Sequence, residues 1–327
     1  MTHETGPTKA TRRLAADAQG IAEAAALLRD GGTLGLPTET VYGLAADATS
    51  DRAVAAIYAA KVRPSFNPRI AHVPDLDAAQ HEGVFDAAAL ALAQAFWPGP
   101  LTIVVPVAAG DSVCELARAG LDSVGLRMPS HPVARAILAA TGRPVAAPSA
   151  NRSGRISATS AEHVLAELDG RIDAVLDAGP TQVGVESSIV ACLEGRVRLL
   201  RPGGISRDAI EAVLGRPLDG GGDDGAAPLA PGMLASHYAP AARMRLDAEA
   251  PRKGEAWLGF GPDPASIREI ALNLSPSGNL DEAAANLFRM MRQLDEAGPA
   301  TIAVPPIPMH GLGEAINDRL RRAAAPR

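Results

Sequence analysis

What most constrains this chain is an alternation that breaks once. Up to about residue 215, short apolar runs are interleaved with amphipathic helical stretches, the pattern of an α/β sheet domain. Residues 216–232 then change character. They hold Gly220, Gly221, Gly222, Asp223, Asp224 and several Pro and Ala, and read as a linker. Regular patterning resumes after about residue 243, with strand, helix, strand and helix before the chain ends. The expected organisation is a loose tail over residues 1–13, an α/β domain over 14–215, a linker or lid over 216–242 and a small α/β domain over 243–327.

The punctuation is readable residue by residue. Ile21, Ala24, Ala25 and Leu28 mark one helix face, ended by Gly31 and Gly32, and residues 33–36 form a strand stopped by Pro37. Ser50 caps a helix that carries Val54, Ile57 and Tyr58 and delivers Lys61 at its end. Further helices are expected over 87–96, from Pro132, and over 208–214. Thr159 with Glu162 has capping-box spacing for another. Strands are expected at 101–105, 124–127, 145–147, 173–177, 187–193 and 196–200. Several strand pairs lack a helix between them, so the sheet is mixed rather than strictly parallel. Beyond the linker, Asn279 with Glu282 caps a helix bearing Leu280, Ala284, Leu287, Met291 and Leu294, closed by Gly298. A strand over 301–304 and a helix over 314–323 complete the small domain.

Composition narrows the function classes. Hydrophobic residues at 47% and charged residues at 21% describe a soluble protein. Aromatics are only 3%, so the core is built from closely packed Ala, Val, Leu and Ile. A net charge of −6 argues against sustained nucleic-acid binding, which needs a basic footprint. Cys114 and Cys192 are far apart, without metal-ligand spacing, and read as buried thiols in a reducing compartment. Residues 1–13 lack the apolar centre of a signal peptide, and no run approaches the ~20 apolar residues of a membrane span. A cytoplasmic protein is expected.

No Walker loop, dinucleotide fingerprint, H-E-x-x-H or nucleophile elbow occurs. Polar groups instead concentrate in four loops that follow strands, where α/β sheets bind ligands. These are residues 37–44, residues 61–68 with His72 just beyond, residues 148–154 with Ser157 following, and Glu186-Ser187-Ser188 with Arg201-Pro202-Gly203. Each has an ordinary explanation taken singly. Thr38 or Thr40 can cap a turn, Lys61 and Arg63 can be a solvated helix end, Ser149 and Asn151 are common turn residues, and a lone His72 is usually structural. Arg127 is harder to dismiss, because a guanidinium ending an apolar strand needs a carboxylate or phosphate partner.

Taken together and in order, PTETVYGL (37–44), KVRPSFNP (61–68), FWPGPLT (96–102), VGLRMPSHP (124–132), APSANRSG (147–154), GVESSIV (184–190) and RPGGIS (201–206) resemble the YrdC-like domain of the L-threonylcarbamoyladenylate synthases. PGMLASHYAP (231–240) and GLGEAINDRLRRAA (311–324) resemble the longer, two-domain form of that family. The resemblance implies a mixed twisted YrdC-like sheet with helices and a small Rossmann-like C-terminal domain. It also implies that L-threonine, bicarbonate or CO2, and ATP give threonylcarbamoyl-AMP and pyrophosphate. A partner transferase complex then carries the group to an adenosine beside the anticodon of tRNA. By the same resemblance Lys61, Arg63, Ser149 and Asn151 are the catalytic tetrad. Thr40, His72, Arg127, Ala147 and Ser187 line the threonine site, and Arg63, Asn67, Ser123, Ser149, Ser157, Arg201 and Tyr238 contact the nucleotide.

The residue types suit that chemistry. The carbamate nucleophile is already an anion, so the task is to bring two anions together. Cationic donors and positioning do this. Lys61, Arg63 and Arg201 suit phosphates, and Arg127 suits the amino acid's carboxylate as a bidentate fork. Mg2+ is expected to arrive with ATP, held largely by phosphates and water, with Glu39 and Glu186 the nearest protein carboxylates. Two departures stand out. Arg69 replaces the Leu common after Asn-Pro, and Leu234, Ala235 and Ser236 replace basic or aromatic residues. The competing readings are an RNA-binding module, disfavoured by the net charge, and a carbamoyl-transfer enzyme of hydrogenase maturation, whose long form needs additional Cys pairs. A purely structural role for the second domain is a third.

Overall fold

The computed structural model describes residues 10–62, 67–220, 237–264 and 270–326. Its first sheet is built from β1 (Arg12–Ala15), β2 (Leu34–Leu36), β3 (Gly43–Asp47), β4 (Ile70–His72), β5 (Leu101–Pro106), β6 (Ser123–Arg127), β7 (Val145–Ala146), β8 (Ala174–Asp177), β9 (Ser188–Leu193) and β10 (Arg196–Arg201). Among the described residues these ten strands run β1-β8-β2-β3-β7-β4-β6-β5-β9-β10. The sheet is mixed, as expected: β4 pairs β6 and β5 pairs β9 in parallel, while β3–β7, β5–β6 and β9–β10 are antiparallel.

Short side chains allow this sheet to be closely covered. Leu44 and Ala46 of β3 enter one apolar layer with Ile57, Leu101 and Ile103, while Ala45 enters another with Leu28, Ile137 and Leu138. The period-2 alternation thus buries both faces of the strand. Helix Asp51–Lys61 is capped by the Ser50 hydroxyl, which accepts from the Ala53 amide, and Lys61 is its last residue.

Several expectations are corrected. Arg12 and Arg13, expected in the tail, open edge strand β1, parallel to β8, with Arg13 paired to Asp177. Only Leu14 of that strand is buried, so its apolar signal is weak. Residues 43–47, the first two of them expected in a polar loop, form a wholly buried strand. The helix after Thr159 is capped by Ser160, whose hydroxyl accepts from the His163 amide. Both described ends of the expected linker are packed. Asp219 closes onto Val197 of β10, and Tyr238, Ala239 and Ala242 are buried. The Gly221–Gly222 stretch and residues up to 236 lie outside the described residues.

The C-terminal unit is a parallel sheet of β11 (Arg243–Arg245), β12 (Ala256–Gly259), β13 (Ala271–Asn273) and β14 (Thr301–Ala303), ordered β11-β14-β12-β13 among the described residues. Helices Leu280–Glu296 and Gly313–Ala324 accompany it, the first capped by Asn279 as expected. Its core is shared: Val41, Ile156 and Val185 from the first unit pack among Leu287, Phe288 and Ile316. Among the described residues, three ion pairs cross the same boundary: Arg319–Glu186, Arg207–Glu314 and Arg292–Glu167.

Gly184 is a point of close approach at that boundary. Its φ is +74°, and a Cβ there would lie 2.4 Å from the Ala284 carbonyl oxygen. Left-handed backbone costs a non-glycine residue about 1–2 kcal/mol, and the helix must also move. Gly184→Ala is therefore expected to lower stability by about 2 kcal/mol or more. Urea unfolding checks this; an unchanged midpoint would contradict the close approach.

Candidate functional site

The pairing register decides what the site is made of. Paired residues on neighbouring strands point to one face, and successive residues to opposite faces. Ile70 is paired with Gly125 and His72 with Arg127. Gly125 is in turn paired with Val104, and Thr102 with Ile189. One face therefore carries Ile70, His72, Ser123, Gly125, Arg127 and Thr102, while Val124, Leu126, Ile103 and Val190 enter the apolar core on the other. Alternation alone thus lets Arg127 end an apolar strand without entering the core.

A cleft of about 610 Å³, counting the part open to solvent, lies on this face. It brings together nine residues expected from sequence. Thr40, His72, Arg127, Ala147 and Ser187 line it, and so do Lys61, Ser149, Arg201 and Tyr238. Four expected residues do not line it. Asn151 is buried and its amide donates to the carbonyls of Arg152 and Arg155, so it shapes the loop. The Ser157 hydroxyl is given to Glu186 Oε1 at 2.5 Å. Ser123 shares a sheet face with Arg127 but sits at the opposite end of β6, and Asn67 is buried just before β4. Arg63 lies outside the described residues.

The cations of the cleft are fixed by the chain itself. Lys61 Nζ donates at 2.6 Å to the carbonyl oxygens of both Ser149 and Asn151, clamping the helix end to the Ser149–Asn151 turn. Arg201 donates from Nε and Nη2 to the Ser187 carbonyl at 3.2 and 2.9 Å, and Ser187 Oγ lies 2.8 Å from Thr102 Oγ1. Arg69 also lines the cleft, its guanidinium carbon 4.4 Å from the centre of the Tyr58 ring. The partner that Arg127 requires is supplied internally: Nη2 donates to Glu39 Oε1 at 2.6 Å and Nε to the Gly99 carbonyl. Its fork is thus partly engaged, with fewer than its five donors left for a ligand.

Both carboxylates considered as metal ligands are committed elsewhere. Burial drives the Glu39 carboxyl upward, but the charge and hydrogen bond of Arg127 outweigh it and hold it below the usual range. Burial acts likewise on Glu186, and the charges of Arg319 and Arg201 with the Ser157 hydroxyl bring it down to about 2. Among the described residues no group of three or more His, Cys, Asp or Glu is placed to hold a metal ion. His72 is driven the other way from a cation: burial and then the Arg127 charge lower it to about 3. It is a neutral imidazole at working pH, and its Nδ1 has no hydrogen-bond partner among the described residues.

This arrangement, one face of a mixed sheet with fixed cations around polar hydroxyls, has relatives. A family model described as "Telomere recombination" matches residues 26–203, and one described as "Threonylcarbamoyl-AMP synthase, C-terminal domain" matches 205–325. The Bacillus subtilis threonylcarbamoyl-AMP synthase is 39% identical, over 97% of this chain and 96% of its own. The chain belongs to the threonylcarbamoyl-AMP synthase family. The Pyrococcus abyssi threonylcarbamoyl-AMP synthase is 37% identical over 92% of this chain and 93% of its own. The crystal structure of P. abyssi Sua5 complexed with L-threonine superposes with a TM-score of 0.86 at 35% identity, covering 96% of this chain and 97% of that one. Full-length coverage extends the family assignment to the C-terminal unit.

Sequence reasoning left two cleft contributors without a role. His237 lines the cleft beside Tyr238, their rings 4.0 Å apart. Arg319 is fully buried and holds Glu186 from the C-terminal helix. A detectable signal existed for Arg319: it lies in the apolar stripe Ala315, Ile316, Leu320, Ala323.

The neutrality of His72 has a pH signature. The unfolded chain protonates this histidine near 6.5, whereas the folded chain resists protonation down to about 3. Lowering pH through that window therefore favours unfolding, by about 2 kcal/mol at pH 5. His72→Gln is expected to lose that much less stability than the unmodified chain between pH 7 and pH 5. Urea midpoints at the two pH values measure it, and parallel losses would contradict a neutral buried imidazole.

Proposed function

We propose that this cleft binds ATP against its fixed cations and L-threonine beside them, and that the chain makes threonylcarbamoyl-AMP. The observation that carries the reading is the charge inventory: Lys61, Arg69, Arg127 and Arg201 line the cleft, against Glu186 as the carboxylate that lines it. A polyanionic ligand completes that imbalance.

Threonine's ammonium group gives up a proton to solvent, and the free amine with bicarbonate gives the carbamate and one water. A carbamate oxygen attacks the α-phosphorus, its new P–O bond forms, the bond to the bridging oxygen breaks, and pyrophosphate leaves with the electron pair. No protein base is needed to create the nucleophile. Lys61 and Arg201, with Arg63, neutralise the phosphates, and backbone amides of the turn at Ser149 add donors. Arg127, relieved of part of its charge by Glu39, orients the threonine carboxylate. Thr40, Ser187 and the free Nδ1 of His72 recognise its amine and hydroxyl, and Ala147 leaves room for the methyl group. Ser123 and Asn67 extend the nucleotide side of the same face. Mg2+, carried on the triphosphate, supplies further neutralisation. The product passes to a tRNA-modifying threonylcarbamoyl transferase complex in the cytoplasm.

Pyrophosphate release from ATP tests this directly when threonine, bicarbonate and ATP are omitted one at a time. Release is expected only with all three present. Serine, lacking the methyl group, is expected to be poorer by about 10–200-fold in kcat/KM. Lys61→Ala and Arg63→Ala are each expected to cost about 100-fold or more. Threonine-independent release, or full activity of Lys61→Ala, would defeat the reading.

A further inference from the structure

Among the described residues, the one carboxylate that lines the cleft is held from outside it. Glu186 Oε2 accepts from Arg319 Nε at 2.8 Å, and Arg319 belongs to helix Gly313–Ala324 of the C-terminal unit. Arg319 has no solvent exposure. Its Nη1 donates to Asp318 at 2.6 Å, and its guanidinium carbon is 5.2 Å from the centre of the Tyr238 ring, which stacks on Phe288. Neighbouring positions on the buried side of that helix are apolar: Ala315, Ile316, Leu320 and Ala323.

Stability does not explain an arginine there. Replacing a buried ion pair by packed apolar groups is often neutral or stabilising, because desolvation costs as much as the pair returns. What the pair changes is the charge seen inside the cleft. Arg201 is the other cation acting on Glu186, and it lines the same cleft. Without Arg319, the Glu186 carboxylate would face an incoming triphosphate with its charge uncompensated, or would draw Arg201 away from the phosphates.

We propose that Arg319 is a positioning residue for ATP: it masks the negative charge of Glu186, so that the triphosphate meets Arg201 without an uncompensated carboxylate beside it. The C-terminal unit thereby contributes to substrate binding and not only to packing. This rests on the ATP-binding reading above, and it assigns the C-terminal unit a chemical role within that reading.

The experiment is steady-state pyrophosphate release with separate KM values for ATP and threonine, for the unmodified chain, Arg319→Met, Arg319→Lys, Glu186→Gln and the Glu186→Gln/Arg319→Met double variant. Arg319→Met is expected to raise the ATP KM about tenfold or more while the threonine KM stays within about twofold. Arg319→Lys, which keeps the charge, is expected to recover part of the loss. The deciding result is rescue: adding Glu186→Gln to Arg319→Met removes the charge that needed masking and should return the ATP KM toward that of Glu186→Gln alone. A merely structural arginine gives no such rescue. If Arg319→Met fails to melt cooperatively, Glu186→Gln and the double variant decide; ATP KM values within about twofold support the proposal. An unchanged ATP KM in folded Arg319→Met, or a double variant more than about tenfold worse than Glu186→Gln, overturns it. If the unmodified chain itself releases no pyrophosphate, the functional reading fails instead.

Discussion

Two buried arginine–carboxylate pairs flank the cleft, and its character depends on them. Arg127 neutralises Glu39, and Arg319 neutralises Glu186. Each pair is nearly closed to solvent, where an unpaired charge would cost several kcal/mol. With both acids committed, the cleft keeps the positive ends of Lys61, Arg69 and Arg201 on a face of the sheet that also supplies small polar groups. Such a site has little need of an acid–base residue. His72, the histidine nearest Arg127, is held neutral by burial and by that same arginine.

The pairs also tie the architecture together. Glu39 lies in the turn between β2 and β3, and Arg127 ends β6, so their bond spans the strands on either side of the cleft floor. Glu186 precedes β9, and its partner comes from the last helix of the chain. The shared apolar core around Val41, Ile156, Val185 and Phe288 brings that helix to its place, and Gly184 permits the approach. Tyr238, reached after the chain returns from the linker, is packed between Phe288 and Arg319 and borders the cleft. Cleft, linker end and C-terminal helix are therefore one mechanical unit on the Glu186 side.

Much of this was legible in the sequence, for physical reasons. Helices with sharp caps, such as those begun by Ser50 and Asn279, and strands that are continuous apolar runs, such as 101–105, carry strong local signals. The family resemblance carried by the ordered motifs named nine residues that line the cleft. What escaped detection lacked a local signal. β1 is a polar edge strand with a single buried side chain, and β3 (Gly-Leu-Ala-Ala-Asp) begins inside the polar run 37–44. The internal partners of Arg127 and Glu186 come from 88 and 133 residues away, and no periodicity announces them. The amide nitrogen of Asn151 staples its own loop through the Arg152 and Arg155 carbonyls, while its Oδ1 has no hydrogen-bond partner among the described residues.

The central claim is that fixed cations on one sheet face receive a triphosphate beside an amino acid. A crystal structure of the chain with a non-hydrolysable ATP analogue and L-threonine tests it most directly. The account predicts phosphate oxygens within hydrogen-bond reach of Lys61 and Arg201, with the threonine carboxylate at Arg127 and Glu186 still on Arg319. A nucleotide bound away from Lys61 and Arg201, or a triphosphate found with Glu186 turned from Arg319, would contradict it.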